Sequence, residues 1–183
     1  LKMDLTEQTL NQSYVHRGRI INVRVDDVRL PNGKQADREV VEHNGGVCVA
    51  ALTDDKEIYF VRQFRYPYHQ VLPEIPAGKL EKGEDPLVCG KRELSEETGM
   101  EADHYRFLGE LYPSPGYCAE IIYMYLATGL HKKEQHLDED EFLEVEKIPL
   151  DRAVEMILNN EITDAKTQTA VLKVKLLEEK AKL

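Results

Sequence analysis

The run from Gly78 to Met100 constrains this chain more than any other segment, because it places three glutamates on one side of a helix. Glu93, Glu96 and Glu97 are spaced i, i+3 and i+4. At 3.6 residues per turn these positions are neighbours on one helix face. The fold therefore has to accommodate a helix that concentrates negative charge on a single side.

Such a cluster favours a bound cation. Like charges at this spacing destabilise an isolated helix by a few tenths of a kcal/mol. Hard divalent cations take oxygen ligands, and Mg²⁺ typically uses one or two carboxylates together with waters and substrate phosphates. The alternative is a solvated acidic face on which Arg92 reaches Glu96 at i+4. The cluster alone leaves both interpretations open.

Residues that begin and end helices flank the acidic positions. Asp85 or Glu84 can cap a helix that has Pro86 in its first turn, where the missing N–H of proline costs nothing. Gly99 suits the C-terminal cap, which often takes a left-handed conformation. Gly90 lies mid-helix, where glycine costs about 1 kcal/mol relative to alanine. It either weakens the helix or lets another backbone approach.

The charge of the chain limits its partners. With 183 residues it is long enough for one domain with a sizeable core. The formal net charge is −10 and the isoelectric point is about 5.1, which does not favour binding to nucleic acid and would repel a phosphate ligand. A bound metal ion would offset the repulsion between the acidic chain and a phosphate ligand.

Cysteine usage and hydropathy favour a cytoplasmic protein. The three cysteines, Cys48, Cys89 and Cys118, form no CxxC pair and are odd in number, which favours reduced thiols. No apolar run approaches the roughly 20 residues that span a bilayer. The first residues lack a secretory signal pattern. We expect no membrane partner.

Periodicity predicts a mixture of strands and helices. Residues 47–52 and 57–64 are expected to pair as a hairpin, 71–77 to be extended, and 130–140 to be polar and irregular. The predicted strands are 14–15, 19–25, 26–30, 35–43, 47–52, 57–64, 105–112, 120–128 and 141–148, and the predicted helices are 86–98, 150–159 and 164–182.

The acidic run resembles the signature of Nudix hydrolases. That signature is a glycine, five residues, a glutamate, seven residues, and then R-E-U-x-E-E-x-G-U, where U is a bulky aliphatic residue. Its fixed positions are matched by Gly78, Glu84, Arg92, Glu93, Leu94, Glu96, Glu97, Gly99 and Met100. The resemblance implies a loop, helix and loop that hold two to three Mg²⁺ or Mn²⁺ ions against a diphosphate.

The resemblance also implies the ligands and the fold. Glu93 and Glu97 are expected to be the main metal ligands, Glu96 a further ligand or support, and the carbonyl of Ala77 an additional ligand. The expected fold is α/β (α+β), a Nudix α/β/α sandwich with a mixed central sheet. An N-terminal antiparallel β-sheet precedes it. The expected domains are 1–44 for this sheet and 45–183 for the hydrolase domain.

Four further segments resemble the branch of ADP-ribose pyrophosphatases and nucleoside diphosphate sugar hydrolases. They are L-P-N-G-K at 30–34, R-E-V-V-E-H at 38–43, V-R-Q-F-R at 61–65 and E-I-P-A-G at 74–78. Pro115 lies about where this branch places a substrate-loop proline. Tyr117 keeps open the dinucleoside polyphosphate branch, and a nucleoside triphosphate hydrolase is a further alternative. The branch implies hydrolysis of ADP-ribose or a related sugar nucleotide to a nucleoside monophosphate and a sugar phosphate.

A catalytic base is still required, and in this branch it is often a glutamate on a loop after the signature. The matching region, 137–142, offers Glu141 and Glu139. We expect Glu141 to be the base, because it lies where the loop meets the predicted strand 141–148. Glu139 is the next candidate, and a glutamate of the signature such as Glu97 stays open, as do the neighbouring aspartates. An acidic loop of this kind is otherwise a solvated turn.

Substrate recognition is assigned to a few basic and planar residues. Arg38 and Arg65 can grip phosphate oxygens through two N–H groups, although structural ion pairs are the alternative. The branch resemblance adds Glu74 and Pro115. The residues that could form a planar floor for the base are Tyr14, Arg17, Arg19, Tyr66 and Tyr68.

Two expectations concern assembly and the class of protein. The N-terminal sheet would expose an edge that needs covering, and in the resembling branch it is exchanged across a two-fold interface. A homodimer is therefore expected. A sensor that binds ADP-ribose-like ligands without cleaving them should have lost glutamates of the signature. All of them are present, which favours an enzyme.

Overall fold

The computed structural model describes residues 3–133 and 142–181 of the chain. The chain divides into two compact units, the first comprising Leu1–Asn44 with Tyr112–Ile121, and the second Gly45–Leu111 with Ile122–Leu183. The loop Tyr112–Ile121, which the expected boundaries assign to the hydrolase domain, thus belongs to the first unit. The domain boundary at residue 44 stays a prediction.

The first unit is built on a three-stranded antiparallel sheet with the order β1-β2-β3. The strands are β1 (Gln8–Arg17), β2 (Asn22–Arg29) and β3 (Gln35–Glu42). Gly33 makes the β2–β3 turn possible, because its φ of 82° lies in the left-handed region. The N-terminal antiparallel sheet expected from the sequence is confirmed. Every residue of β1 is exposed, which explains why its hydrophobic pattern predicts only 14–15.

The second unit contains two sheets and three helices within the part of the chain that the structure describes. One sheet is mixed, with the order β7-β4-β9-β8 and a parallel β4–β9 pair, and the other is antiparallel, with the order β10-β5-β6. The elements are β4 (Gly46–Ala51), β5 (Glu57–Arg65), β6 (Gln70–Glu74), β7 (Ala77–Lys79), α1 (Pro86–Thr98), β8 (Met100–Leu111), β9 (Ile122–Lys132), β10 (Leu143–Pro149), α2 (Leu150–Leu158) and α3 (Ala165–Glu179).

Strand β4 forms the centre of an α/β/α sandwich. All six of its residues are buried, and successive side chains point to opposite faces. Val49 and Ala51 pack with Leu94 of α1. Cys48 and Ala50 belong to the larger core cluster, which contains residues of α2 and α3. Helices on both faces bury the strand, and the Nudix sandwich expected from the sequence is confirmed.

Two expectations about the strands are wrong. β4 and β5 do not form a hairpin, because they lie in different sheets and share a single isolated bridge between Leu52 and Ile58. The sequence pattern cannot distinguish the two arrangements, since a buried strand needs partners on both edges and both β7 and β9 lie far along the chain from β4. The segment expected to be irregular from residue 130 begins as strand, because β9 continues to Lys132 in its pairing with β8.

The helices lie where the sequence places them. α1 spans the residues 86–98 predicted for it, while α2 and α3 end one and three residues before their predicted ends. No helix in residues 3–133 and 142–181 is both long and apolar enough to cross a bilayer.

Gly90 explains how closely α1 packs on the sheet. A Cβ at this position would lie 3.1 Å from Cγ2 of Val47 and 3.2 Å from Cγ2 of Val49. These contacts are shorter than ordinary van der Waals separation. The glycine therefore permits a close approach, and the groups that approach it are side chains of β4 rather than another backbone.

Candidate active site

Helix α1 is fixed at both ends by the caps expected from the sequence. The carboxylate of Asp85 accepts hydrogen bonds from the backbone N–H groups of Leu87, at 2.9 Å, and Val88, at 3.1 Å. Gly99 ends the helix with φ 65° and ψ 27°, and its N–H donates to the carbonyl of Ser95. These caps fix where the helix begins and ends, and Leu94, which packs on β4, sets the face that is turned inward.

Two of the three glutamates point inward. Glu93 is 7% exposed and Glu97 is 2% exposed, whereas the side chain of Glu96 is 32% exposed. The backbone N–H of Ala77 donates to Oε2 of Glu97 at 3.1 Å. Ala77, expected as a metal ligand, therefore lies beside an expected ligand of the same site.

Gly78 leaves room for the side chain of Glu93. A Cβ there would lie 1.9 Å from Oε1 and 2.0 Å from Cδ of Glu93, far inside van der Waals contact. The first glycine of the signature therefore leaves the space in which the carboxylate of Glu93 lies. Any side chain at this position would have to displace Glu93 or the strand β7.

Arg92 forms ion pairs with three carboxylates. Its guanidinium lies 2.8 Å from Glu93, 2.9 Å from Glu96 and 3.4 Å from Glu84. Burial alone would lower the pKa of Arg92, but the carboxylates, with Glu93 the largest contributor, raise the pKa above its ordinary value. The Arg92–Glu96 pair considered from the sequence is thus present. One guanidinium opposes three carboxylates, so these ion pairs still leave net negative charge.

The carboxylates fit a divalent metal ion in the chemistry of their donor atoms. Hard cations prefer oxygen donors, and Glu93, Glu96 and Glu97 supply them on one helix face. Gly78 and Ala77 bring the strand β7 against the same face. Within residues 3–133 and 142–181, no group of three or more Asp, Glu, His or Cys side chains is arranged around a single position that a cation could occupy. The guanidinium of Arg92 lies between the carboxylates of Glu93 and Glu96.

A cleft lies along the exposed side of the same helix. Its volume is about 360 Å³, within the range of small-molecule sites. It shares Arg92 and Glu96 with the acidic cluster. The residues that line it are Lys91, Arg92, Ser95, Glu96, Glu101 and Lys133.

A second charged cluster centres on Glu74, which is 2% exposed. Nε and Nη2 of Arg65 lie 2.6 and 2.7 Å from its two oxygens, and Nζ of Lys166 contacts the same carboxylate. Burial raises the pKa of Glu74, but the hydrogen bond from Arg65 and the charge of Lys166 outweigh it, so the pKa lies below its ordinary value. Both predicted substrate residues of this cluster, Arg65 and Glu74, thus contact each other.

The other predicted substrate residues lie in the first unit. Arg38 pairs with Glu7 through Nε at 2.9 Å, and Arg17 stacks on the ring of Tyr14, with Cζ 3.7 Å from the ring centroid. Pro115 lies in a turn closed by the hydrogen bond from the N–H of Cys118 to the carbonyl of Ser114, at 2.9 Å. Tyr66 and Tyr68, by contrast, are exposed in a 3₁₀ turn of the second unit.

The two candidate bases, Glu139 and Glu141, lie outside the described residues. Their roles stay predictions.

Sequence reasoning missed three polar residues at the start of α3. Asp164 caps this helix by accepting from the N–H of Thr167 at 2.9 Å, Lys166 is mostly buried against Glu74, and Thr167 is fully buried. The available signal was Asp164 itself, a residue type that is common immediately before a helix. Thr167 contacts Ile75, which is 92 positions away in the sequence, and a local sequence pattern cannot indicate such a contact.

Comparison with known families agrees with this geometry. A model of the NUDIX domain matches residues 42–168, and a model of the nucleoside diphosphate sugar hydrolase N-terminal domain matches residues 7–41. The first match spans more than half of the chain. The chain belongs to the Nudix family, and it is a pyrophosphatase of that family. Nudix pyrophosphatases are metal-dependent.

The chain is also similar to individual proteins of known name. The methanol dehydrogenase activator of Bacillus methanolicus is 46% identical over 94% of each chain. An ADP-ribose pyrophosphatase of Bacillus subtilis (strain 168) is 43% identical over 95% of each chain. A crystal structure of an ADP compounds hydrolase matches over 100% of both chains with a TM-score of 0.85, at 23% identity. This last likeness concerns the fold.

The Glu74 cluster predicts a pH-dependent stability. Glu74→Gln leaves Arg65 and Lys166 without their buried carboxylate, and we expect it to lower the free energy of unfolding at neutral pH by about 3 kcal/mol. Because the folded-state pKa of Glu74 is lowered, this contribution is complete above the ordinary value of 4.5 and is lost as pH falls through the folded-state pKa. Urea unfolding of wild type and of Glu74→Gln, from neutral pH to below pH 4.5, measures the difference between their free energies of unfolding.

Glu57→Gln is the matched control, because Glu57 pairs with the half-exposed Lys147. Such surface pairs contribute up to about 1 kcal/mol. A difference between wild type and Glu74→Gln that stays constant from neutral to acidic pH would contradict the assignment.

Proposed function

We propose that this protein hydrolyses the diphosphate bond of ADP-ribose or a related nucleoside diphosphate sugar, giving a nucleoside monophosphate and a sugar phosphate. The observation that carries the proposal is the match of residues 7–41 to the nucleoside diphosphate sugar hydrolase N-terminal domain, next to a complete Nudix signature. The ADP-ribose pyrophosphatase of Bacillus subtilis that aligns over 95% of the chain supports the same substrate class.

Charge is the main obstacle to this reaction. A diphosphate repels an attacking water until its negative charge is offset, and divalent ions at such sites offset that charge and acidify bound water. We assign Glu93 and Glu97 as the main ligands of two to three Mg²⁺ or Mn²⁺ ions, with Glu96 and the carbonyl of Ala77 in support. The burial of Glu93 and Glu97 and the hydrogen bond from Ala77 N–H to Glu97 support this assignment, because they hold the carboxylates in fixed positions.

Arg65 is the proposed contact for a substrate phosphate in this unit. Its side chain is 36% exposed, so part of the guanidinium faces solvent while Nε and Nη2 are held by Glu74. Glu74 is buried and would act by orienting Arg65. Arg38 and Pro115 are assigned to substrate recognition from the resemblance of their segments to the sugar nucleotide branch.

The substrate class is tested with a panel of phosphorylated compounds. ADP-ribose, GDP-mannose, ADP-glucose, diadenosine polyphosphates and nucleoside triphosphates are incubated with the protein and Mg²⁺, and products are separated by ion-exchange chromatography. We expect a nucleoside monophosphate to appear fastest from a sugar nucleotide. Faster cleavage of a triphosphate or dinucleoside polyphosphate would establish the alternative activity. Binding without cleavage of any compound would indicate a sensor.

Glu97→Gln tests the metal assignment. The substitution removes a charged ligand and keeps the shape of the side chain, so we expect an unchanged circular dichroism spectrum and a fall in kcat of about three orders of magnitude or more. Turnover is measured with the best substrate of the panel in excess Mg²⁺. Glu81→Gln, at an exposed position that the signature leaves variable, serves as control. Near-normal activity of Glu97→Gln would rule out the assignment.

Glu141→Gln tests the catalytic base. A carboxylate that accepts a proton from the attacking water contributes roughly 10²- to 10⁴-fold to the rate, so we expect kcat to fall by that factor while KM changes little. Glu139→Gln is measured in parallel. An unaffected rate in Glu141→Gln together with a slow Glu139→Gln enzyme would transfer the role to Glu139.

We also propose a homodimer in the cytoplasm. β1 is an edge strand of its sheet and is exposed at every residue, and Leu10, Tyr14 and Val15 on it would be covered by a second copy. The reduced cysteines fit a reducing compartment. Light scattering should give about twice the chain mass of 21.0 kDa. A monomer mass at micromolar concentration would contradict the dimer.

A second candidate function is activation of a methanol dehydrogenase. It is favoured by the 46% identity to the Bacillus methanolicus activator over 94% of the chain. The test adds the protein to a purified bacterial methanol dehydrogenase and measures the rate of methanol oxidation. Stimulation by wild type that is lost in Glu97→Gln would connect it to hydrolysis, and the absence of stimulation would eliminate this candidate.

A further inference from the structure

A buried polar contact joins the start of α3 to the segment that precedes α1. The side chain of Thr167 is fully buried. Its Oγ1 accepts a hydrogen bond from the backbone N–H of Ile75 at 3.0 Å, across 92 positions in sequence. The same hydroxyl donates to Oδ2 of Asp164 at 2.6 Å. Because the hydroxyl both accepts and donates, its orientation is fixed.

Lys166 makes a second contact from α3, to Glu74, the residue that precedes Ile75. Its Nζ contacts the carboxylate of Glu74 and lies 3.0 Å from Oδ1 of Asp164. The side chain of Lys166 is only 12% exposed. Two consecutive residues of α3 thus hold two consecutive residues of the chain, Glu74 and Ile75, and Asp164 connects both contacts.

The other end of this segment reaches the expected metal ligands. The carbonyl of Pro76 accepts from the N–H of Val49 at 2.9 Å, which attaches the segment to the central strand. The N–H of Ala77 donates to Glu97 at 3.1 Å, and Gly78 lies against the carboxylate of Glu93. The ring of Pro76 fixes its φ, so few soft dihedrals lie between Ile75 and Ala77 to absorb a shift of Ile75. Part of such a shift is therefore passed on to Ala77.

We propose that Thr167, with the help of Lys166, is a positioning residue of the active site. Its hydroxyl fixes the backbone at Ile75, and that backbone sets the place of the Ala77 N–H beside Glu97 and of Gly78 beside Glu93. Neither α3 residue touches the substrate in this role. The inference rests on the proposed role of Glu93 and Glu97 as metal ligands.

Substitution of the hydroxyl tests the proposal. Thr167→Val keeps the volume and removes the acceptor for the N–H of Ile75, leaving a buried donor unsatisfied, whereas Thr167→Ser keeps the hydroxyl. Mn²⁺ binding to the substrate-free full chain is measured by isothermal titration calorimetry. We expect Thr167→Val to bind Mn²⁺ about tenfold more weakly, at the low end of effects from outer partners of metal ligands, and Thr167→Ser to bind within about twofold of wild type.

Thr169→Val is the matched control on the same helix. Its exposed hydroxyl donates to the carbonyl of Ala165 at 2.8 Å and makes no contact of this kind, so Mn²⁺ affinity should not change. Hydrogen exchange at the amides of Ile75 and Ala77 gives a second readout. Exchange at both should be faster in Thr167→Val, while amides in β9 stay protected.

The outcomes separate the two proposals. Native Mn²⁺ affinity in a folded Thr167→Val protein would overturn the positioning role, whatever happens to the melting temperature. If Thr167→Val does not fold, Lys166→Met is measured instead. Wild-type Mn²⁺ affinity together with wild-type hydrogen exchange at the amide of Ala77 in that variant would also overturn the positioning role. A wild type that binds Mn²⁺ but cleaves no sugar nucleotide would overturn the proposed substrate class alone.

Discussion

The close approach of α1 to the central sheet is the constraint on which the site depends. Two glycines permit it, because a Cβ at Gly90 would press on valine methyl groups of β4 and one at Gly78 would overlap the carboxylate of Glu93. A larger residue at Gly90 would force the helix or the valines of β4 to shift by a few tenths of an ångström, and one at Gly78 would displace the carboxylate of Glu93 or the strand β7. Packing therefore decides that these carboxylates are buried.

Burial of several carboxylates is unfavourable unless each is paired, and the structure meets this requirement in two places. Beside α1, Arg92 pairs with Glu93 and Glu96, and Ala77 N–H donates to Glu97. Beside β6, Glu74 is held between Arg65 and Lys166. The first arrangement retains excess negative charge, which suits a cation and then a diphosphate. The second is closer to neutral and suits a structural support.

Local signals in the sequence predicted the local features well. The bounds of α1, its Asp85 cap, its Gly99 cap and the turn between β2 and β3 all depend on a few adjacent residues. Features set by distant partners were missed or wrong. The supposed β4–β5 hairpin fails because β4 pairs with β7 and β9, and the contact of Thr167 with Ile75 connects segments with no shared pattern. The catalytic base depends on loop geometry, which sequence periodicity does not encode.

The parallel pairing of β4 with β9 has a consequence for how the protein folds. Parallel strands need a long crossover, and loop closure makes such pairing slow. The central strand gains this partner only after Ile122–Lys132 has been synthesised, and Ile75 gains its hydroxyl partner later still, when α3 is complete. The acidic helix leaves the ribosome well before either event. Assembly of the candidate active site is therefore a late step relative to formation of α1, because it needs segments that lie far downstream of that helix.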